Sequence, residues 1–67
     1  MFNEYDIVRL KHDLPTLGLQ AGAIGTILLI YKQHLLPPAY EVEFTDDQGN
    51  ALAILALQED EIEKIET

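Results

Sequence analysis

Cysteine, serine and tryptophan are all missing from this chain of 67 residues. Without cysteine no disulfide can form, and the usual zinc sites are also excluded, since two histidines without a thiolate cannot fill four ligand positions unless carboxylates join them. The lack of both serine and cysteine also removes the commonest nucleophiles of covalent catalysis. We therefore predict a protein that is not an enzyme and that has no catalytic, metal-binding or cofactor-binding residues.

Positive charge is also scarce, because four Lys and Arg residues stand against twelve Asp and Glu, for a formal net charge of −8. Nucleic acids and anionic membranes are both bound through clusters of cationic side chains. The longest apolar run, residues 27–31, is far too short to span a bilayer. We expect no nucleic acid and no membrane as partner, and favour a protein partner or a second copy of the chain.

The shortness of the chain predicts a single domain over residues 1–67 with a thin core. Small domains usually need a disulfide, a metal or an oligomeric contact to supplement such a core. Since composition removes the first two, oligomerisation remains. The absence of cysteine and of a signal-peptide pattern predicts a cytoplasmic location.

Turn residues divide the chain into five short apolar segments typical of β-strands. The predicted strands are residues 5–10, 24–31, 40–45, 51–57 and 62–65. Gly25 indicates a bulge or a close backbone approach, 46–50 is a hairpin turn, and 58–61 is one helical turn. This pattern predicts an all-β fold, a small five-stranded SH3-like barrel with a short helical turn before the last strand. The alternative is a helix over residues 51–65 lying across three strands, because Ala and Leu favour helix.

Alternation along the third strand predicts which side chains enter the core, since Glu41 and Glu43 point away from the apolar side. The predicted core comprises Val8, Leu10, Leu28, Ile30, Val42, Phe44 and Leu55.

The second and fourth strands carry an apolar excess, because both of their faces are apolar. A small barrel buries only the inward face of each strand, and exposed apolar patches usually mark an interface. The alternative is that loops or the C-terminal turn cover the outer face. The predicted interface residues are Ile27, Leu29, Tyr31, Leu52 and Ile54.

Several short motifs follow one another in a characteristic order. They are Asp6-Ile7-Val8-x-Leu10, Asp13-Leu14-Pro15, Gly18-Leu19-x-x-Gly22-x-x-Gly25-Thr26-Ile27, Tyr40-Glu41-Val42-Glu43-Phe44 and Asp46-x-x-Gly49. This order resembles a bacterial family, common in cyanobacteria, known as domain of unknown function 4926. The resemblance implies a stand-alone SH3-like domain with a co-encoded partner, and it brings no catalytic residues. Ala51, Ala53 and Ala56 depart from it, since threonine is frequent in that strand of the family.

Together these observations predict a non-catalytic protein–protein interaction module, either homodimeric or paired with a co-encoded partner. The alternative is an accessory or regulatory subunit of a larger enzyme complex. Co-purification from the native cell separates the two, because one yields a small partner and the other a large catalytic assembly.

Overall fold

Five β-strands and two single 3-10 turns form the fold in the computed structural model, which describes residues 1–65. The elements in chain order are β1 (Ile7–Leu10), a first 3-10 turn (Pro15–Leu17), β2 (Ile24–Tyr31), β3 (Ala39–Thr45), β4 (Ala51–Gln58), a second 3-10 turn (Glu59–Glu61) and β5 (Ile62–Lys64). The all-β prediction and the turn before the last strand are confirmed. The alternative helix over 51–65 is wrong, because β3 provides residues 51–58 with a ladder partner. Residues 66 and 67 of the predicted domain lie outside the described part.

The strands form one antiparallel sheet in the order β4-β3-β2-β1-β5. β4 and β5 lie at opposite edges, yet only the three residues of the second 3-10 turn separate them in sequence. The sheet must therefore curl so that its two edges approach at that end. Over residues 1–65 no ladder joins β4 to β5, and the sheet stays open rather than closing into the predicted barrel. β5 is only three residues long and pairs with β1 alone.

A β-bulge at Leu28 divides β2 into two halves. Ile27 pairs with Val42 and Leu29 pairs with Glu41, which leaves Leu28 as an extra residue. Because side chains alternate along a strand, one extra residue exchanges the two faces beyond it. Ile27 is consequently fully buried, so its predicted place on the outer face is wrong. Leu28, predicted in the core, is only half-buried at the bulge itself.

Gly25 allows a close approach between β2 and β3, which is the second of its two predicted roles. A Cβ atom at this position would lie 2.6 Å from Cγ1 of Val42 and 3.0 Å from Cδ1 of Phe44. Contacts this short force a neighbouring atom to move, and both neighbours are fully buried. The missing side chain therefore lets β3 lie tightly against β2 at this position.

The core lies on the concave side of the sheet. Its buried members are Val8, Leu10, Leu19, Ile27, Tyr40, Val42, Phe44, Leu57 and Ile62. Four of the seven predicted core residues are in this set, while Ile30 and Leu55 are half-buried and pack against it. Leu19 reaches the core from the loop between β1 and β2, and Phe2 packs its ring against Tyr40 at a centroid distance of 5.2 Å. Segments outside the strands thus cover part of the open core.

The turn between β3 and β4 is the predicted hairpin, and Asp46 holds it. Its Oδ1 atom accepts hydrogen bonds from the backbone N–H groups of Gln48 and Asn50, each at 2.9 Å. Gly49 adopts a φ of 84°, which glycine takes without strain. The hydrogen bonds from Asn50 and Gln48 lower the pKa of Asp46 below its ordinary value, because they stabilise the carboxylate.

Candidate interaction surface

The outer face is the side of the sheet opposite the core, and it keeps large apolar side chains exposed. Four of the five predicted interface residues are exposed, and only Ile27 is buried. Leu29 and Tyr31 are each 46% exposed on β2, and Ile54 is 53% exposed on β4. Apolar side chains therefore flank β3 on both sides of this face.

Two carboxylates occupy the centre of the outer face, because β3 runs between the apolar strands. Glu41 pairs with Leu29 on one side and Ala56 on the other, while Glu43 pairs with Thr26 and Ile54. The outer face is thus an acidic central strip with apolar flanks.

Tyr31 connects the apolar flank to this strip. Its hydroxyl donates a hydrogen bond to Oε2 of Glu41 at 2.9 Å. That hydrogen bond, helped by desolvation, raises the pKa of Tyr31, because it stabilises the protonated phenol.

Leu52 lies apart from the other predicted interface residues. Phe44 pairs with Ala53 and Thr45 pairs with Ala51, so Leu52 is the extra residue of a second bulge. It borders a shallow depression formed with the loop residues 18–23. Of the predicted set, Leu29, Tyr31 and Ile54 therefore share the outer face, Leu52 borders the β1–β2 loop, and Ile27 lies in the core.

The loop between β2 and β3 exposes apolar side chains that were not predicted as part of a surface. Leu35 is 89% exposed with a left-handed φ of 64°, and Leu36 is also exposed. Leu36 and Met1 line a second depression beside Pro38. The available signal was a pair of adjacent leucines in a segment already predicted as a loop, where few neighbours can cover them.

Titratable groups elsewhere make structural contacts around the second 3-10 turn. Tyr40 donates a hydrogen bond to Oε1 of Glu59 at 3.0 Å, and burial, followed by this hydrogen bond, raises the pKa of Tyr40. His12, an exposed loop residue, has its Nε2 atom 3.4 Å from Oε1 of Glu61. Residues 1–65 contain no group of three His, Asp or Glu placed to hold a metal ion.

Within the same residues, no helix has the length and apolar character that a membrane span requires.

The family model described as Domain of unknown function (DUF4926) matches residues 4–64, nearly the whole chain. The chain belongs to this family. The resemblance seen in the sequence motifs is thereby confirmed. No curated protein and no solved structure matches the chain. Because the DUF4926 description assigns no activity, a functional proposal has to come from the surface itself.

Proposed function

We propose that this DUF4926 chain is a non-catalytic protein–protein interaction module that binds a partner through its outer face. The observation that supports the proposal is the exposure of Leu29, Tyr31 and Ile54 on one sheet face. Complete burial of a large apolar side chain contributes about 1.5–3 kcal/mol relative to complete exposure. These three are roughly half exposed, so a substantial part of that free energy remains for a partner to gain.

The acidic strip indicates which side chains a partner surface needs. Glu41 and Glu43 lie between the apolar flanks, and the whole chain carries a net charge of −8. A matching surface places Lys or Arg opposite the strip and apolar side chains opposite Leu29 and Ile54. Such complementarity accelerates association and disfavours acidic partners. A basic protein, co-encoded or not, fits this description better than a second copy packed face to face.

The proposal also covers the fold class of the module and its cellular compartment. The module is an open variant of the SH3-like barrel in a bacterial cytoplasm. Five antiparallel strands with a three-residue link between the edge strands support the class. The family resemblance supports the bacterial origin, and the absence of cysteine suits a reducing compartment.

Replacing Leu29 with Asp tests the proposal, with Leu17→Asp as the matched control. Leu17 is similarly exposed, but it belongs to the first 3-10 turn rather than the outer face. We expect both variants to fold with melting temperatures close to that of the wild type, since each altered side chain already meets water. Only Leu29→Asp should lose the partner that co-purifies with the tagged chain from the native cell.

Equal retention of the partner by both variants would contradict a role for the outer face, as would unfolding of Leu29→Asp alone. The size of the captured material also decides between the two predicted roles. A small partner fits the interaction module, whereas a large catalytic assembly indicates an accessory subunit.

A further inference from the structure

The outer edge of β4 presents backbone groups that β3 does not use. Gln58 donates its N–H to Oε2 of Glu61 at 2.7 Å, so this group points away from β3. Because backbone direction alternates along an antiparallel strand, the N–H and C=O groups of Ala56 and Ile54 also point away from β3. Among residues 1–65, the backbone hydrogen bonds outside the strand ladders involve neither residue. The edge therefore offers two donors and two acceptors.

Nothing in the composition of β4 protects this edge. The strand is eight residues long, from Ala51 to Gln58, and contains no charged residue and no proline. Sheet proteins ordinarily blunt an exposed edge with charge, proline or shortness, because an exposed edge is a template for another strand.

We propose that β4 pairs antiparallel with β4 of a second copy, about a two-fold axis at Leu55. This inference rests on the proposed function and adds a self-association edge to the module. In this register Ile54 of each copy lies opposite Ala56 of the other. The outward backbone groups of Ile54 and Ala56 in each chain are then paired, which gives four hydrogen bonds between the copies.

The side chains of β4 match one another in the same register. Small residues meet large ones, since Ala56 lies opposite Ile54 and Ala53 lies opposite Leu57, while Leu55 meets its own copy. Pairs of this kind avoid both crowding and gaps between neighbouring strands. The strand is thus self-complementary about its centre.

Charge favours a second copy at this edge and disfavours one on the outer face. Packing two outer faces together would bring Glu41 and Glu43 of one copy against the same residues of the other. Pairing two β4 edges about Leu55 places residues 52–58 of the two copies opposite one another, and all of these residues are uncharged. Self-association through the backbone edge of β4 and partner binding through the outer face therefore use different surfaces of one module, which adjoin at Ile54.

Amide hydrogen exchange of the wild-type chain at increasing protein concentration tests the register directly. The amides of Ile54 and Ala56 should exchange rapidly in the monomer, whereas that of Leu55, which faces β3, should be protected throughout. Once nine-tenths of the chains are dimeric, exchange at Ile54 and Ala56 should slow about tenfold, because only the monomer leaves them open. Added salt should strengthen the dimer by screening two chains of −8.

A pair of variants at one position provides the matched control. Ala56→Pro removes the outward N–H and should abolish the dimer seen by sedimentation, whereas Ala56→Ser keeps the N–H and should retain it. An edge position tolerates proline when its N–H is not used in the ladder. If Ala56→Pro fails to fold, the exchange experiment on the wild type is sufficient to decide whether two β4 strands pair.

A chain that remains monomeric at every concentration overturns the edge proposal and leaves the outer-face proposal to its own test. A dimer whose Ile54 and Ala56 amides stay unprotected also overturns it. Loss of the dimer in Leu29→Asp would place the dimer contact on the outer face and would overturn edge pairing. A dimer that survives Leu29→Asp and shows both protected amides supports β4 pairing.

Discussion

The two edges of the DUF4926 sheet are built in opposite ways. β5 is three residues long, and two of its residues, Glu63 and Lys64, are charged. Both enter ion pairs, with Arg9 at 3.2 Å and with Asp6 at 3.9 Å. β4 is eight residues long and has no charge at all.

This difference fits the proposal that β4, and not β5, is the edge that pairs with a second copy. A chain with a net charge of −8 has ample charge to place on either edge. Its charged side chains are present on β5 and absent from β4, although an uncharged edge risks unwanted pairing. The contrast is what a sheet requires when one edge is closed to partners and the other is available for pairing.

The largest effect we predict comes from Phe44→Ala, which tests whether the two edges depend on one core. Phe44 is fully buried on β3, where it pairs with Gly25 of β2 and Ala53 of β4. Its loss should lower the free energy of unfolding by about 3–5 kcal/mol, a large share of the roughly 5–15 kcal/mol typical of a domain. Denaturant unfolding measures this loss.

Thr45→Ala, at the neighbouring exposed position, provides the control and should change stability little. Amide exchange in Phe44→Ala should show β4 and β5 losing protection together. Protection kept at β5 but lost at β4 would mean that the two edges belong to separately stable units.

A smaller, pH-dependent effect is expected from Asp46→Asn, which acts on β4 through the hairpin turn. The backbone hydrogen bonds from Asn50 and Gln48 lower the pKa of Asp46 in the folded chain below 3.8. The stabilisation by its carboxylate is therefore complete above pH 3.8 and is lost as the pH falls through the lower folded value. Asp46→Asn should melt below the wild type at neutral pH, and the difference should vanish in acid.

Melting temperatures of the two proteins across the acidic range measure this dependence, with Asp47→Asn as the control at the adjacent exposed position. A difference that stays constant with pH would show that the Asp46 carboxylate does not stabilise the turn.

Strand positions were predictable because their signals are local. The predicted third and fourth strands, 40–45 and 51–57, each differ from β3 and β4 by one residue at one end. The alternation of Glu41 and Glu43 with apolar residues marks β3, and the Asp46 turn ends it. The part of the candidate surface that lies on these strands could therefore be predicted, as the exposed Ile54 of β4 shows.

The bulge at Leu28 was not predictable, for a physical reason. β2 is apolar on both faces, so no polar residue marks which face is inward, and a one-residue slip leaves the pattern unchanged. The prediction of Ile27 on the outer face is consequently wrong, because Ile27 is fully buried. The openness of the sheet was equally hidden, since no residue pattern in β4 or β5 shows that these consecutive strands lie at opposite edges and form no ladder with each other.

The smallest effect we predict on stability concerns the protected edge, in Glu63→Ile. Glu63 and Arg9 are each about half exposed, and exposed ion pairs contribute about 0–1 kcal/mol. Loss of the pair should therefore change the free energy of unfolding by less than about 1 kcal/mol. Its effect on association should be larger, because the central side chain of β5 would change from charged to apolar and Lys64 alone would keep a charge on that strand.

The control for this change is Glu63→Gln, which removes the same ion pair but keeps the edge polar. Sedimentation at matched concentrations should show larger assemblies for Glu63→Ile than for Glu63→Gln, since pairing at both β4 and β5 links copies into chains rather than closed dimers. If both variants sediment as the wild type does, the charge of Glu63 is not what closes the β5 edge. Its length of three residues, too short to hold a partner strand, would then account for the contrast with β4.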